Sequence, residues 1–226
     1  MTHPPERERN APRTREAILD AAEQLFAAQG YEATSLTEVG QAAGVSRGTP
    51  GYFFGSKADL YRAVLERCFS EVRQAVQTGR ERALASGEGP EVVLEGAVGD
   101  YFDFLVARPN FVRLLEREAL TASGVLPEAS VELHTGREAL AALAVELGLD
   151  PSPSGDAAHL LLSIIALCWF PLVHASTVAP SVGVDLGSAE ALAQRKRHVV
   201  ELVLYGARGR AALAARDSDS PAGTSL

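Results

Sequence analysis

The stretch "SLTEVGQAAGVSRGTPGYFFGSK", residues 35–57, decides the fold of the N-terminal part of the chain. Ser35 and Glu38 have the Ser-x-x-Glu spacing of a capping box, in which each side chain satisfies a free amide at a helix start. The helix that follows ends near Ala43, and Gly44 supplies a turn residue that tolerates a positive φ angle. The pattern predicts two short helices joined by a tight turn.

Pro50 and Gly51 stand where the second short helix should continue, although proline and glycine are the poorest helix formers. If Ser46 caps this helix, Pro50 is its fourth residue, and the missing N–H weakens only the first bond of the helix. If Thr49 caps it instead, Pro50 opens the helix, where proline is favoured. Both alternatives predict a short helix with a distorted first turn.

An apolar stripe at helical spacing precedes this unit, and Gly30 follows it as a predicted helix stop. Because the members of the stripe lie on one face of a helix, they predict a helix that starts near Thr14. The stripe consists of Ile18, Ala21, Ala22, Leu25 and Phe26.

The rest of the chain shows helical periods and no sustained alternation, which predicts an all-α fold. The run Leu160–Val173 is interrupted by Ser163 and Pro171; it is too short to span a bilayer and predicts a buried helix. The further helices are predicted over residues 56–85, 90–107, 109–122, 127–148, 156–177 and 188–210.

Composition excludes several classes of protein. The chain has 226 residues and a net charge of −8, which argues against a protein that coats nucleic acid without sequence preference, but permits a local DNA-binding face. Cys68 and Cys168 each stand alone in an apolar stretch, so we expect buried free thiols and no structural zinc. The charged N-terminus lacks the apolar segment of a secretory signal, which favours the cytoplasm.

No arrangement typical of an enzyme is evident in the sequence. It shows no Ser-His-Asp order, no paired carboxylate cluster and no glycine-rich phosphate loop. We therefore expect neither catalysis nor a cofactor, and no metal site.

Residues 14–67 resemble the DNA-binding domain of the TetR family of bacterial repressors. The matching text is "ILDAAEQLFAAQGYEATSLTEVGQAAGVSRGTPGYFFGSKADLYRAVL", residues 18–65. The chain departs from the usual pattern at Gly40, where the family has Ala, and at Pro50 and Gly51, where it has Leu-Tyr. Phe53 also takes a position that is often held by His.

The resemblance implies an all-α protein with an N-terminal three-helix helix-turn-helix domain, residues 13–57, and a larger helical ligand-binding and dimerisation domain, residues 58–210. A disordered arm, residues 1–12, and a disordered tail, residues 211–226, complete the prediction. Such a protein would be a homodimeric repressor that binds palindromic double-stranded operator DNA and is released by a small molecule. The alternative is an effector-independent architectural DNA-binding protein of the same fold. A membrane partner is not expected.

Side-chain chemistry assigns roles within the DNA-binding domain. Arg47 can reach guanine edges or a phosphate, and Thr49 a base or a thymine methyl. Tyr52 and Lys57 are predicted to contact phosphates, and Thr37 a phosphate beside a helix N-terminus. Arg13 and Arg15 are expected to follow the DNA backbone or enter the minor groove. The predicted DNA-binding set is Thr37, Ser46, Arg47, Thr49, Pro50, Gly51, Tyr52 and Lys57.

The effector is predicted to be a mainly apolar or aromatic small molecule bound among the helices at 90–177, because such pockets are apolar with a few polar groups. The predicted walls are Phe104, Phe111, Leu115, Trp169 and Phe170, and the predicted polar groups are Tyr101, Glu118, His134, Arg137 and His174. Dimerisation is predicted through helices 156–177 and 188–210, since the first of these is apolar nearly all round.

Overall fold

The computed structural model of the protein describes residues 6–87, 89–121, 131–152 and 155–218. Across these ranges the chain forms ten α-helices and no β-strand, which confirms the all-α prediction. The helices are α1 Glu6–Gln29, α2 Leu36–Ala42, α3 Thr49–Phe54, α4 Lys57–Ala85, α5 Pro90–Ala107, α6 Pro109–Thr121, α7 Val131–Leu147, α8 Asp156–Val173, α9 Val178–Ser181 and α10 Ala189–Ser218.

The helices form two compact units. Unit 1 comprises Met1–Arg73 and Leu105–Gly136, and unit 2 comprises Gln74–Phe104 and Arg137–Leu226. Helices α4, α5 and α7 therefore each contribute residues to both units. Since a compact unit and a functional domain need not share a border, the domain boundary between residues 57 and 58 stays a prediction.

Both ends of the predicted ordered region are longer than expected. Helix α1 begins at Glu6, so residues 6–12 of the predicted disordered arm are helical, and residues 1–5 lie outside the described residues. Helix α10 runs to Ser218, well into the predicted tail, and residues 219–226 lie outside the described residues. Both extensions are rich in Arg, Glu or Ala, which are strong helix formers.

Aromatic side chains build much of the core of unit 1. Phe26 of the predicted α1 stripe is buried and meets Tyr61 of α4 edge to face, with ring centroids 4.9 Å apart. Phe69 of α4 meets Phe111 of α6 in the same way at 5.4 Å. Such pairs add to the stability that burial of the large rings provides.

Helix α6 also holds the C-terminal end of α1. Arg117 of α6 donates from Nε to the carbonyl of Ala27 at 3.0 Å and from Nη2 to that of Ala28 at 2.7 Å. The last carbonyls of a helix lack intrahelical donors, and a cation there is favoured by the helix dipole. The chain then turns at Gly30, whose φ of 87° fits the predicted helix stop.

A buried carboxylate, Glu23 of α1, connects two helices and a loop of unit 1. Its Oε2 accepts hydrogen bonds from Arg67 at 2.7 Å, from Arg108 at 3.0 Å and from the Cys68 thiol at 3.6 Å. We refer to these four residues, on α1, α4 and the loop before α6, as the Glu23 cluster. A shallow cleft of about 240 Å³ lies beside it; its lining is Asp20, Glu23, Gln24, Ala107, Arg108, Pro109 and Asn110.

In unit 2, a proline inside α8 is compensated by an arginine of α10. Pro171 has no N–H to give to the carbonyl of Leu167, four residues earlier in the same helix. Arg195 supplies the missing donor, because its Nη2 lies 3.0 Å from the Leu167 oxygen. This hydrogen bond fixes α10 against α8.

Replacing Arg195 with Met should lower the free energy of unfolding by about 1–3 kcal/mol, since a partly buried carbonyl loses its donor. The control is Arg197→Met on the same helix, where the exposed side chain should matter by less than about 0.5 kcal/mol. Urea denaturation followed by circular dichroism measures both changes. Equal effects of the two substitutions would contradict this role of Arg195.

Helix α8 differs from the prediction of a buried helix. It buries Ala157, Leu160, Ile164 and Cys168, but Leu162 is 63% exposed and Phe170 is 52% exposed. The helix also ends at Val173 instead of residue 177, because the carbonyl of His174 accepts hydrogen bonds from the amides of residues 177–179 in a turn.

By length and composition alone, the 18 residues of α8, with a mean hydropathy of 1.8, could cross a bilayer, although the interrupted apolar run was expected to be too short. Core helices of soluble proteins have the same length and composition.

Candidate DNA-binding interface

The capping box and the turn of the helix-turn-helix are present as predicted. Ser35 Oγ accepts from the Glu38 amide at 3.2 Å, and Glu38 Oε2 accepts from the Ser35 amide at 2.8 Å. Hydrogen bonds from the Ser35 hydroxyl and amide lower the pKa of Glu38, which keeps the carboxylate charged. The turn after α2 passes through Gly44 at a φ of 67°.

Helix α3, the candidate recognition helix, begins at a residue that neither sequence alternative proposed. Gly48 is the N-cap and Thr49 is the first helical residue, so Pro50 is the second. The Ser46 hydroxyl caps no amide of α3; its Oγ lies 2.7 Å from the Thr49 hydroxyl oxygen. The helix has six residues, so it is short, as predicted. Its C-cap is Gly55, whose φ is 83°.

The proline explains where α3 begins. Pro50 has no N–H to give to the carbonyl of Ser46, and that carbonyl accepts from the amide of Thr49 at 3.0 Å instead. The side chain of Pro50 is buried. A buried ring packs inside the domain, so the structure gives no support to the prediction that Pro50 contacts DNA.

Other predicted residues lie on the surface. Ser46, Arg47 and Thr37 are exposed, and Tyr52 is 86% exposed. A Cβ at Gly51 would lie 3.9 Å from Leu36 Cδ1, so the first turn of α3 sits beside the start of α2 that carries Thr37. The structure thus brings the first turns of α2 and α3 together, as recognition of DNA by a helix-turn-helix requires.

Lys57 is more constrained than the sequence suggests. Its ammonium donates to the carbonyl of Tyr31 at 2.9 Å and to that of Glu32 at 3.3 Å, and it lies 4.3 Å from the centroid of the Tyr31 ring. An ammonium has three N–H donors, which leaves one for a phosphate. The structural role, with a partner 26 residues away, was not predicted.

Arg15 of α1 lies beside the C-terminal end of the recognition helix. Its guanidinium lies 5.1 Å from the centroid of the Phe54 ring, the last residue of α3, and 3.6 Å from Glu16. Arg13 is exposed on the same helix. Arg15 thus lies beside the recognition helix, and the contacts of Arg13 and Arg15 with the DNA backbone stay predictions.

The ten predicted effector residues do not gather in one unit. Phe111, Leu115, Glu118 and His134 belong to unit 1, and Tyr101, Phe104, Arg137, Trp169, Phe170 and His174 belong to unit 2. None of them lines the cleft beside the Glu23 cluster.

Several of these ten residues have evident structural roles. Phe111 is 1% exposed, and Glu118 accepts from the Tyr61 hydroxyl at 2.9 Å. His134 and Arg137 are exposed. The ring of His174 lies against that of Phe170, with centroids 4.4 Å apart. Burial raises the pKa of the Tyr101 hydroxyl, so it remains protonated.

Both cysteines are buried free thiols, as predicted, and burial raises the pKa of each to about 12. A thiol in this state is a poor nucleophile. In the described part of the chain, no group of three or more His, Cys, Asp and Glu side chains could hold a metal ion.

Comparison with known proteins covers both halves of the chain. Residues 18–64 match the family model described as "Bacterial regulatory proteins, tetR family". Residues 90–203 match the model described as "Tetracyclin repressor-like, C-terminal domain".

The chain is 30% identical to the HTH-type transcriptional repressor NicS of Pseudomonas putida, over 89% of this chain and 96% of NicS. It is 31% identical to the HTH-type transcriptional activator FasR of Mycolicibacterium smegmatis over 54% of this chain and 55% of FasR. A solved transcriptional regulator from Streptomyces coelicolor shares 25% identity with a TM-score of 0.63, covering 85% of this chain and 97% of that one.

Family members are DNA-binding transcriptional regulators that are typically dimeric and normally cytoplasmic, and they are not enzymes. With a helix-turn-helix that exposes Thr37, Arg47 and Tyr52, a family match in each half and a relative aligned along nearly the whole chain, the protein belongs to the TetR family of bacterial transcriptional regulators.

Proposed function

We propose that the protein is a repressor that binds a palindromic operator as a homodimer and is released by a small, largely apolar molecule. The observation that carries the proposal is the exposed segment around the start of α3, where Arg47 and Tyr52 project from the helix-turn-helix. The repressor NicS aligns along nearly the whole chain, whereas the activator FasR aligns along about half, which supports repression over activation.

Operator reading is assigned to the exposed Arg47 and to Thr49, which is partly exposed. An arginine can form two hydrogen bonds to a guanine edge, and a threonine can meet a base or a thymine methyl, so Arg47 and Thr49 are the proposed base readers. Tyr52 and the remaining donor of Lys57 are proposed to bind phosphates, which set the register without reading sequence. Footprinting on the DNA upstream of the protein's own gene would locate an operator.

Arg47→Ala should relax the base preference at one operator position and weaken binding to the best sequence by about 1–3 kcal/mol. Fluorescence anisotropy on a set of single-base operator variants measures the ranking. Tyr52→Phe should weaken all variants by a similar factor, because it removes a phosphate contact. Arg113→Ala, an exposed arginine of α6, is the control. An unchanged ranking in Arg47→Ala would remove Arg47 from the base readers.

The dimer is proposed to form through α8 and α10, because both present exposed apolar side chains. Besides Leu162 and Phe170 of α8, Leu202 is 43% exposed and Tyr205 is 69% exposed on α10. A cluster of large exposed apolar groups is typical of an interaction surface. Val199 and Val203 of α10 are buried within the chain, so they are unavailable to a partner.

The protein should sediment as a dimer at micromolar concentration, and Leu162→Glu should shift it towards monomer by placing a charge in the apolar interface. Analytical ultracentrifugation measures both. Val145→Glu is the control, since Val145 of α7 is 78% exposed and lies outside the proposed interface. A wild-type monomer would refute the proposed assembly.

Release by an effector requires that the effector binds more tightly to a conformation with low affinity for the operator. The coupling free energy between two such binding sites is typically about 1–3 kcal/mol. Helix α6 is suited to pass such a change to the DNA-binding helices, because Arg117 holds the end of α1 and Glu118 holds Tyr61 of α4. Along the chain α6 directly follows α5, which contributes to both units. The long helix α4 is the second proposed connection.

A screen of apolar and aromatic compounds by thermal shift, followed by operator binding with each hit, tests the effector. We expect at least one hit to weaken operator binding. If tight-binding hits leave operator affinity unchanged, induction fails and the alternative, an architectural DNA-binding protein without an effector, becomes the better hypothesis.

A further inference from the structure

Gly40 occupies an unusual position in the DNA-binding domain. It is buried within α2, a seven-residue helix, although glycine is a poor helix former. A Cβ at this position would lie 3.1 Å from the carbonyl oxygen of Ser46, 3.4 Å from Arg47 Cα and 3.4 Å from Pro50 Cδ. All three atoms belong to the turn before α3 or to its first residues. The missing side chain thus makes room for the turn and for the proline ring.

Pro50 also affects the carbonyl of Ser46. Any other residue at this position would offer an N–H to the Ser46 carbonyl, four residues earlier, and would allow α3 to start sooner. With proline there, the carbonyl accepts from Thr49 at 3.0 Å. Gly40 and Pro50 thus meet at one point, the Ser46 carbonyl.

The contacts at the Ser46 carbonyl determine which side chains are exposed at the start of α3. Because α3 starts at Thr49, Arg47 stands exposed in a non-helical turn instead of on the helix. Gly48, the N-cap, and Gly51, within the first helical turn, present no side chain, and Tyr52 is the first large side chain of α3 to reach solvent.

We propose that Gly40 and Pro50 are a matched pair of positioning residues that sets where the recognition helix begins and, through that, which bases the protein prefers. The inference rests on the proposed operator binding and adds the determinants of its specificity. Neither residue touches DNA in this proposal; both act through the placement of Arg47 and Thr49.

The two single substitutions act differently on this arrangement. Pro50→Ala restores an N–H for the Ser46 carbonyl, so α3 should extend backwards and Arg47 should turn with it. Gly40→Ala pushes the Ser46 carbonyl and the Arg47 backbone away by a few tenths of an ångström, because contacts this short are rare. In the double variant the contact with Pro50 Cδ is gone, so the two effects should not add, as expected for residues in contact.

The experiment compares the wild-type dimer with Gly40→Ala, Pro50→Ala and the double variant. Selection from a library with randomised operator half-sites gives the base preference at each position, and amide hydrogen exchange of the free protein reports the start of α3. Pro90→Ala, at the first position of α5, and Gly99→Ala, where a Cβ would meet nothing within 4 Å, are the matched controls.

We expect Pro50→Ala to change the relative preference between bases by about fivefold or more at one or more positions, the size of a base contact. Its new amide at residue 50 should be protected from exchange, and Gly40→Ala should alter the preference as well. Both controls should keep the wild-type preference.

Affinities that fall by one common factor for all sequences, in both single variants, would overturn the proposal and leave the pair a purely structural role. An unprotected amide at residue 50 would also overturn it. If Pro50→Ala does not fold, the preference of Gly40→Ala decides alone. A wild-type protein without any sequence preference would reject the proposed function itself, and that result is visible before any variant is compared.

Discussion

Glu23→Gln is expected to lower the free energy of unfolding by about 3 kcal/mol. Glu23 is 6% exposed and accepts hydrogen bonds from two arginines. Removing its negative charge therefore leaves two partly buried guanidinium charges with less opposite charge beside them. Breaking a buried ion pair in this way typically costs about 3–5 kcal/mol. The lower end applies here, because Asp20 still pairs with Arg67 at 2.7 Å and Glu71 with Arg108 at 2.8 Å.

Glu16→Gln is the matched control. Glu16 pairs with the same Arg67 at 3.3 Å, but its side chain is 57% exposed, so the loss should stay below about 1 kcal/mol. Urea denaturation followed by circular dichroism measures both variants. Similar losses in the two variants would show that burial of Glu23 does not set the strength of the cluster.

The Glu23 cluster also contributes to the proposed coupling between effector binding and release of the operator. It attaches the chain just before α6 to α1 through Arg108, while Arg117 attaches the body of α6 to the end of α1. Both contacts are charge-assisted, and such hydrogen bonds are about twice as strong as neutral ones. A change in the position of α6 would therefore act on α1, the helix against which the helix-turn-helix is built.

The features that the sequence predicted correctly depend on neighbours in the chain. The capping box follows from Ser35 and Glu38, three residues apart, and the turn from the conformational freedom of Gly44. The stripe on α1 predicted a buried face because 3.6-residue periodicity needs no knowledge of the partner helices. Residues 6–12 were missed because Pro12 and the density of charges outweighed the good helix propensity of the other residues.

The start of α3 was not predictable from neighbouring residues. Both alternatives weighed Ser46, Thr49 and Pro50 against each other, but neither considered Gly40, which lies on the preceding helix and leaves room for the ring. In the proposed pairing of Gly40 with Pro50, the exposed surface of α3 follows from a tertiary contact as well as from the proline. Lys57 shows the same limit, since its partners are the carbonyls of Tyr31 and Glu32 in the turn after α1.

The predicted effector site illustrates a different limit. Aromatic residues at helical spacing line a ligand pocket and a core equally well, because both are apolar surfaces on one side of a helix. Sequence could not tell that Phe111 lies in unit 1 and Trp169 in unit 2. The division into units arises from contacts between residues far apart in the chain, which no local pattern records.

Phe111→Ala is expected to lower the free energy of unfolding by about 3–5 kcal/mol, the range for truncating a fully buried phenylalanine. Its side chain is 1% exposed and packs edge to face against Phe69, so Ala would leave a cavity between α4 and α6. Leu120→Ala is the control on the same helix; its side chain is 80% exposed, and the change should stay within about 0.5 kcal/mol.

The same variant distinguishes the two roles assigned to Phe111, because a core residue and a pocket wall respond in opposite ways. If Phe111 is core, Phe111→Ala loses stability in the absence of any effector. If it lines the effector pocket, unfolding of the free protein stays nearly unchanged, and the thermal shift caused by an effector shrinks. Urea denaturation without ligand and thermal shift with a screening hit separate these outcomes. A stability loss below about 1 kcal/mol would contradict the core role and return Phe111 to the candidate pocket.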